Sequence, residues 1–97
     1  MASADKMLHA IISGRVQGVG FRYFVQKTAY RLNLKGWVRN RKDGTVEVEA
    51  QGNPHILEQF VQALHQGPRS AIVSEVKTDW IPATNEFIDF RVRTTSD

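Results

Sequence analysis

The stretch 35-KGWVRNRKDGTVEVEA-50 lies at the centre of this 97-residue chain and predicts the middle of its fold. Its two halves, "KGWVRN" and "TVEVEA", have the composition of strands, and Asp43-Gly44 between them is a turn signal. In the second half apolar residues alternate with glutamates, so one face is expected to be buried and Glu47 and Glu49 to lie on the surface. The stretch therefore predicts an antiparallel hairpin.

A predicted helix flanks this hairpin on each side. Before it, apolar residues recur with helical spacing over 21–32, and Asn33 suits a left-handed stop. After it, the Asn-Pro pair at 53–54 provides an N-cap with proline at the first helical position. An apolar stripe follows, and the Gly-Pro pair at 67–68 ends the second helix.

The outer segments of the chain predict further strands. The apolar run "MLHAIIS" at 7–13 precedes the first helix, another strand spans about 72–80, and a short last strand is expected over 87–92. Ile88, Phe90 and Val92 would share one face of that last strand. The order β-α-β-β-α-β with a short final strand predicts an α+β, ferredoxin-like sandwich, in which two helices cover one face of an antiparallel sheet.

Length and composition limit the possible classes of protein. One domain is expected over 1–97, with loose tails at 1–6 and 94–97. The absence of cysteine excludes disulfides, thiolate nucleophiles and cysteine-ligated metals. The chain contains neither an N-terminal apolar leader nor 18 consecutive apolar residues, so a cytoplasmic protein without a membrane partner is expected. Since no apolar stripe is left over for a partner, we expect a monomer.

Charge and histidine placement bear on ligands. The formal net charge of +3 is compatible with an anionic ligand but does not identify one. Arg39, Arg41 and Lys42 are expected to add a positive field without individual roles. The three histidines, at positions 9, 55 and 65, lie on different predicted elements without the spacing of metal ligands, so no metal or other cofactor is expected.

The segment 14-GRVQGVGFR-22 joins the first strand to the first helix and holds three of the seven glycines. Loop amides and a helix N-terminus that point the same way bind anions. Arg22 in the first turn opposes the helix dipole unless an anion is bound. Neither a P-loop nor a dinucleotide fingerprint fits, because no lysine follows Gly18 and Tyr23 occupies the third glycine position. A tight turn beside a solvated surface arginine remains the alternative.

Together, 14–22 and "GWVRNRKDGTVEVEAQG" at 36–52 resemble the two motifs of the acylphosphatase family in order and spacing. The resemblance implies a small cytosolic hydrolase that cleaves the carboxyl–phosphate anhydride of small-molecule acyl phosphates. The catalytic arginine and asparagine of the family match Arg22 and Asn40. The phosphate loop that it implies consists of the backbone amides of Val16, Gln17, Gly18, Val19 and Gly20.

The chemistry of these residues agrees with such a reaction. A carboxylate leaving group has a conjugate acid with a pKa of roughly 4 to 5, so it departs without a general acid. Arg22 and the loop amides can hold the phosphoryl oxygens, while Asn40 can orient a water molecule. An amide is too weak a base to deprotonate water, so the proton is expected to pass to the phosphate of the substrate. Neither a metal nor another cofactor is needed.

Two rival interpretations are less well supported by the residues. An RNA-binding RRM has the same element order, but its third strand is rich in aromatic residues, whereas "TVEVEA" has none, so no nucleic acid is expected. The acylphosphatase-like domain of hydrogenase-maturation carbamoyltransferases has a very similar first motif and would act on carbamoyl phosphate, but it usually has proline where Tyr23 stands. Because this chain ends at Asp97, a free-standing enzyme is favoured. A non-catalytic phosphate-binding domain is a further alternative.

The C-terminus departs from the family pattern. Related chains often end with an aromatic residue just after the last strand, whereas "RVRTTSD" at 91–97 has none. Any support that this aromatic residue gives the phosphate loop in relatives is therefore expected to be absent or replaced here. The pair Arg22 and Asn40 is not affected by this departure.

Overall fold

The computed structural model describes residues 5–95, and it confirms the predicted order of elements. The elements are β1 (Lys6–Arg15), α1 (Phe21–Arg31), β2 (Lys35–Asn40), β3 (Val46–Gly52), α2 (Pro54–Gln66), β4 (Ile72–Ile81) and β5 (Phe90–Val92). Lys6 was expected in a loose tail over 1–6, but it pairs with Gly52 in the sheet. The rest of that expectation at 1–4, and 96–97 of the expected C-terminal tail, lie outside the described residues.

The five strands form one sheet in the order β4-β1-β3-β2-β5. β1 pairs antiparallel with β3 and with β4, and β2 pairs antiparallel with β3. The predicted ferredoxin-like fold is confirmed, but the sheet, which was expected to be antiparallel, is mixed, because β5 lies parallel to β2. β4 ends beside the start of β1, and the chain then crosses to the other edge of the sheet at that same end. β5 therefore starts level with β2 and runs in the same direction.

The two helices pack on one face of the sheet and begin and end where the sequence predicts. Asn33 has a φ of 57° just after α1, as expected of a left-handed stop. The Asn53 side chain accepts a hydrogen bond from the His55 main-chain N–H at 2.9 Å, which caps α2. The core between helices and sheet includes Leu8, Ala10, Ile12, Val25, Ala29, Val38, Val46, Val48, Leu57, Phe60, Leu64 and Phe90.

The last strand is shorter than predicted. Pairing with β2 starts only at Phe90, which lies opposite Gly36, and Phe90 is fully buried. Ile88, expected within this strand, is 80% exposed, because it belongs to the segment that crosses between the sheet edges. Val92 is also partly exposed. An alternating pattern in the sequence therefore overstated the length of this strand.

The face of the sheet away from the helices carries an ordered set of polar contacts. Glu47 was predicted to lie on the surface, but it is only 8% exposed, because His9 and Arg39 from the neighbouring strands cover its carboxylate. Glu49 on the same strand remains partly exposed. Trp37 is 6% exposed, and the guanidinium groups of Arg39 and Arg93 lie over its ring. This face is therefore covered by its own charged side chains.

Within residues 5–95, neither helix has the length and apolar character needed to cross a membrane.

Candidate active site

The loop over 16–20 ends at the N-terminus of α1, and its glycines differ in what they require. Gly18 and Gly20 have φ values of 72° and 76°, which disfavour other residues, and a Cβ at either position would meet nothing within 4 Å. They shape a loop with open space beside it. A Cβ on Gly14 would instead lie 2.2 Å from the main-chain oxygen of Ile72. Gly14 is therefore required by the close approach of β4, and only the other two glycines belong to the loop.

The N-terminus of α1 is suited to a negatively charged group. Gly20 occupies the N-cap position, so no side chain caps the helix, and its first turn has no acidic residue in the described chain. The main-chain N–H groups of that turn lack partners within the helix and carry the positive end of its dipole. An anion placed beside the loop would therefore meet unopposed donors.

Arg22 and Asn40 come together in one cavity of about 290 Å³ beside this loop. Arg22 projects from the first turn of α1, and Asn40 is the last residue of β2. Asn40 shares its face of the strand with the buried residue Val38, so its side chain points to the helix side where the core ends. The cavity is lined by Val16, Gly18, Gly20, Phe21, Arg22, Tyr23, Gln26, Asn40 and Val92.

The side-chain oxygen of Asn40 has no hydrogen-bond partner. Among the buried side-chain nitrogen and oxygen atoms of residues 5–95, Asn40 Oδ1 is the only one in this condition. Leaving a buried acceptor unsatisfied costs about 1 to 3 kcal/mol. Asn40 thus lines the cavity while its buried side-chain oxygen is left without a partner inside the protein.

Arg22 lacks a carboxylate partner in the described part of the chain. Its Nη1 donates to the main-chain oxygen of Arg93 at 3.4 Å, a long hydrogen bond at the surface. Arg93 is held in turn by its main-chain N–H, which donates to the oxygen of Val38 at 2.8 Å. The segment just after β5 therefore contacts Arg22 through its main chain.

The five predicted loop residues have different surroundings. Val16, Gly18 and Gly20 line the cavity, whereas Val19 is partly buried against the hydrophobic core. The Gln17 side chain turns away from the cavity, and its Nε2 donates to the main-chain oxygens of Arg41 and Thr45 at 2.7 and 2.9 Å. The roles of the loop amides toward a ligand stay predictions.

Four cavity residues were missed by the sequence reasoning: Phe21, Tyr23, Gln26 and Val92. Gln26 could have been found, because it lies four residues after Arg22 and so on the same helix face. Its Nε2 donates to the main-chain oxygen of Phe90 at 3.2 Å, which joins α1 to β5. Val92 has no local signal, since its place beside the loop depends on the parallel pairing of β5.

The basic residues near Asn40 have more individual surroundings than predicted. Arg39 lies on the opposite face of β2, where its Nε and Nη2 both approach Glu47 Oε1 at 2.7 Å. Arg41 lies 4.0 Å from Asp43, which itself accepts two hydrogen bonds from Thr45. These bonds from Thr45 lower the pKa of the Asp43 carboxyl. Within residues 5–95 no three histidine or acidic side chains are grouped to hold a metal ion.

Fold and site together define a ferredoxin-like domain whose loop and helix N-terminus face an arginine and an unpartnered amide. The family model for acylphosphatases matches residues 8–92. An acylphosphatase from Salinibacter ruber is 51% identical over 89 residues, which cover 92% of this chain and 94% of that protein. The chain belongs to the acylphosphatase family, whose function is the hydrolysis of acyl phosphates.

Solved structures agree with this assignment. The crystal structure of acylphosphatase from Bacillus subtilis superposes with a TM-score of 0.88 at 39% identity, over 91% of this chain and 98% of that one. Full-length HypF in its phosphate- and nucleotide-bound form gives a TM-score of 0.90 at 28% identity. All of this chain is covered in that match, but only 13% of HypF. The fold is therefore found both in small acylphosphatases and within a much longer protein.

Proposed function

We propose that this chain hydrolyses the carboxyl–phosphate bond of small-molecule acyl phosphates, yielding a carboxylate and inorganic phosphate. The observation that carries the proposal is Asn40 Oδ1, a buried acceptor without a partner in the cavity that Arg22 also lines. Membership of the acylphosphatase family supports the same reaction. Arg22 and Asn40 are proposed as the catalytic residues.

The phosphoryl group would be held by the loop and by Arg22. The main-chain N–H groups of Val16, Gln17, Gly18, Val19 and Gly20 are proposed as donors to its oxygens. Charge spreads over these oxygens in the transition state of phosphoryl transfer, and donors fixed in advance stabilise it. Arg22 has no carboxylate partner among the described residues, so its guanidinium is available for a charge-assisted pair with the phosphate.

Asn40 would orient the attacking water. Its Oδ1 can accept a hydrogen bond from the water, which fixes the water oxygen toward phosphorus on the side opposite the leaving carboxylate. The new bond joins the water oxygen to phosphorus as the bond from phosphorus to the acyl oxygen breaks. The electron pair leaves with the carboxylate, and the proton of the water passes to a phosphate oxygen. No step requires a general acid, because the carboxylate is a weak base.

The proposal also covers the location of the protein, its oligomeric state and its need for cofactors. We expect a cytoplasmic monomer that needs neither a metal nor another cofactor. The monomer is supported by the apolar stripes of α1 and α2, whose residues pack in or against the core. Size-exclusion chromatography should give one peak at the size of a single chain, and a dimer peak would contradict the monomer.

The test is phosphate release from acetyl phosphate and an aromatic acyl phosphate, with EDTA present. The wild-type protein is compared with Arg22→Ala and Asn40→Ala. Each variant is expected to lower kcat by about 100- to 1,000-fold, because each removes a contact to the transition state. Arg31→Ala is the matched control, since this exposed arginine lies at the other end of α1.

The outcomes separate the possible functions. If wild type and Arg31→Ala turn over while the two cavity variants do not, hydrolysis and both roles are established. If wild type binds phosphate without turnover, the domain is a non-catalytic phosphate-binding relative. Carbamoyl phosphate belongs in the same assay, because the sequence also resembles the acylphosphatase-like domain of hydrogenase-maturation carbamoyltransferases. A strong preference for it over the acetyl and aromatic substrates would favour the narrower carbamoyl-directed function.

A further inference from the structure

The Gln17 side chain joins the phosphate loop to the hairpin that follows Asn40. Its Nε2 donates one hydrogen bond to the main-chain oxygen of Arg41 at 2.7 Å and another to that of Thr45 at 2.9 Å. The Arg41 main-chain N–H also donates to the Thr45 oxygen at 2.9 Å, so these two residues close the turn between β2 and β3. Both N–H bonds of the Gln17 amide are thereby used on the base of this turn.

The position of these bonds matters because Arg41 directly follows Asn40. In the proposed reaction the loop would hold the phosphoryl group, whereas the end of β2 sets the position of the Asn40 amide. The two bonds are partly buried and span 24 and 28 residues of sequence. Hydrogen bonds with these distances are well formed, and partial burial protects them from water. Gln17 therefore bridges the two halves of the cavity.

We propose that Gln17 is a positioning residue, which sets the distance and direction between the phosphate loop and the water held by Asn40. The inference rests on the proposed function, since it assigns Asn40 the task of orienting water. A displacement of about 1 Å between reacting groups can cost on the order of 100-fold in rate. The side chain of Gln17 acts through Asn40 and does not itself touch the substrate.

This role predicts a particular kinetic signature. Replacing the side chain leaves the main-chain amide of residue 17 and the Arg22 guanidinium in place, so phosphate binding should be retained. The water, however, is no longer held in line with phosphorus. Gln17→Ala should therefore lower kcat by about 10- to 100-fold while the inhibition constant for inorganic phosphate changes less than about twofold.

A double-mutant cycle separates positioning from simple stabilisation. If Gln17 acts by placing Asn40, Gln17→Ala should have little further effect, less than about threefold on kcat, in a protein that already carries Asn40→Ala. A residue that only stabilises the fold, or one that acts through the loop amides alone, would lower kcat equally in both backgrounds.

The experiment measures kcat, KM, phosphate inhibition and melting temperature for Gln17→Ala, Gln17→Met and the Asn40 combinations. Gln17→Met keeps the length of the side chain without a donor, so it is the variant to use if alanine lowers the melting temperature below the assay range. Gln62→Ala, an exposed glutamine on α2, is the matched control and should behave as wild type.

Each result has a definite meaning. A kcat of Gln17→Met equal to wild type would overturn the positioning role and leave the proposed hydrolase intact. A weakened phosphate affinity with unchanged kcat, or an equal loss of rate in the Asn40→Ala background, would also overturn it. No hydrolysis by the wild-type protein would overturn the proposed function and this inference together.

Discussion

Two polar side chains with buried oxygen atoms lie on adjacent rungs of the β2–β3 ladder but on opposite faces of the sheet. Glu47 lies opposite Arg39, and Asn40 lies opposite Val46 one rung further on. Both oxygens of Glu47 are paired, one with His9 Nε2 and the other with Arg39, each at 2.7 Å. Asn40 Oδ1 is buried on the helix side with no partner. The oxygens of Glu47 are therefore hydrogen-bonded, whereas the buried oxygen of Asn40 on the next rung is not.

We infer from this difference that Glu47 stabilises the fold, whereas Asn40 serves binding or reaction. Burial acts to raise the pKa of the Glu47 carboxyl, but the hydrogen bonds from His9 and Arg39 outweigh it, so the pKa lies below its ordinary value. The folded state therefore favours the charged form of Glu47. An unpartnered acceptor such as Asn40 Oδ1 instead destabilises the folded state, and such groups concentrate at sites that bind or react. The two residues should respond oppositely to mutation.

The largest expected effect is on the rate of hydrolysis by Asn40→Ala. The kcat should fall by about 100- to 1,000-fold, which is about 3 to 4 kcal/mol in the transition state. The free energy of unfolding should stay equal to that of wild type or rise by up to about 1 kcal/mol, because an unsatisfied buried acceptor is removed. Urea denaturation and phosphate release measure the two quantities. A clear loss of stability would show that Asn40 supports the fold, and the comparison would fail.

Glu47→Gln should show the reverse behaviour. At neutral pH we expect a loss of about 2 kcal/mol in the free energy of unfolding, because charge-assisted hydrogen bonds to His9 and Arg39 are weakened. Hydrolysis should stay within about twofold of wild type, since Glu47 faces away from the cavity. Glu49→Gln is the matched control on the same strand and face, and it should cost less than about 0.5 kcal/mol.

The same pair of variants predicts a pH dependence with a definite sign. Since the pKa of Glu47 is lowered in the folded state, its contribution is fully present above the ordinary glutamate pKa of about 4.3. That contribution is lost as the pH falls through the lowered folded-state value. The stability difference between wild type and Glu47→Gln should therefore shrink in acid. A difference that stays constant from pH 7 to pH 3 would contradict this account of the carboxylate.

Local signals in the sequence were sufficient for much of the fold. β2 runs from Lys35 to Asn40 as predicted, because its hairpin has a strong turn signal and the partner strand β3 has a clear alternation. The caps at Asn53 and Asn33 also depend only on a few neighbouring residues. The meeting of Arg22 with Asn40 was predicted through the resemblance to a family, since no local pattern joins positions 18 residues apart.

Features that depend on pairing between distant segments were not predicted. The parallel direction of β5 follows from the end of the sheet at which the chain crosses over, which composition does not encode. The burial of Glu47 requires His9 and Arg39 on two other strands. The alternation of apolar and polar residues predicts only on which face of the sheet Glu47 lies. The bonds from the Gln17 side chain likewise depend on how the loop meets the hairpin.

The smallest expected effect tests whether the two faces of the sheet act independently. Arg93 contacts both, since its guanidinium lies over the Trp37 ring at 4.7 Å while its main-chain oxygen accepts a hydrogen bond from Arg22. Arg93→Ala removes only the first contact, so it should lower the free energy of unfolding by about 0.5 to 1 kcal/mol. The main chain would still be held by Val38, and kcat should fall by less than about twofold.

The measurement is again urea denaturation combined with phosphate release. Arg91→Ala serves as the control, because this exposed arginine on β5 pairs with Asp89 instead of with the Trp37 ring. A loss of more than about tenfold in kcat for Arg93→Ala alone would show that packing on Trp37 positions Arg22 through the main chain. In that case the charged face of the sheet would contribute to catalysis. Glu47 and Asn40 would then belong to one network of contacts, and the two faces of the sheet would not act independently.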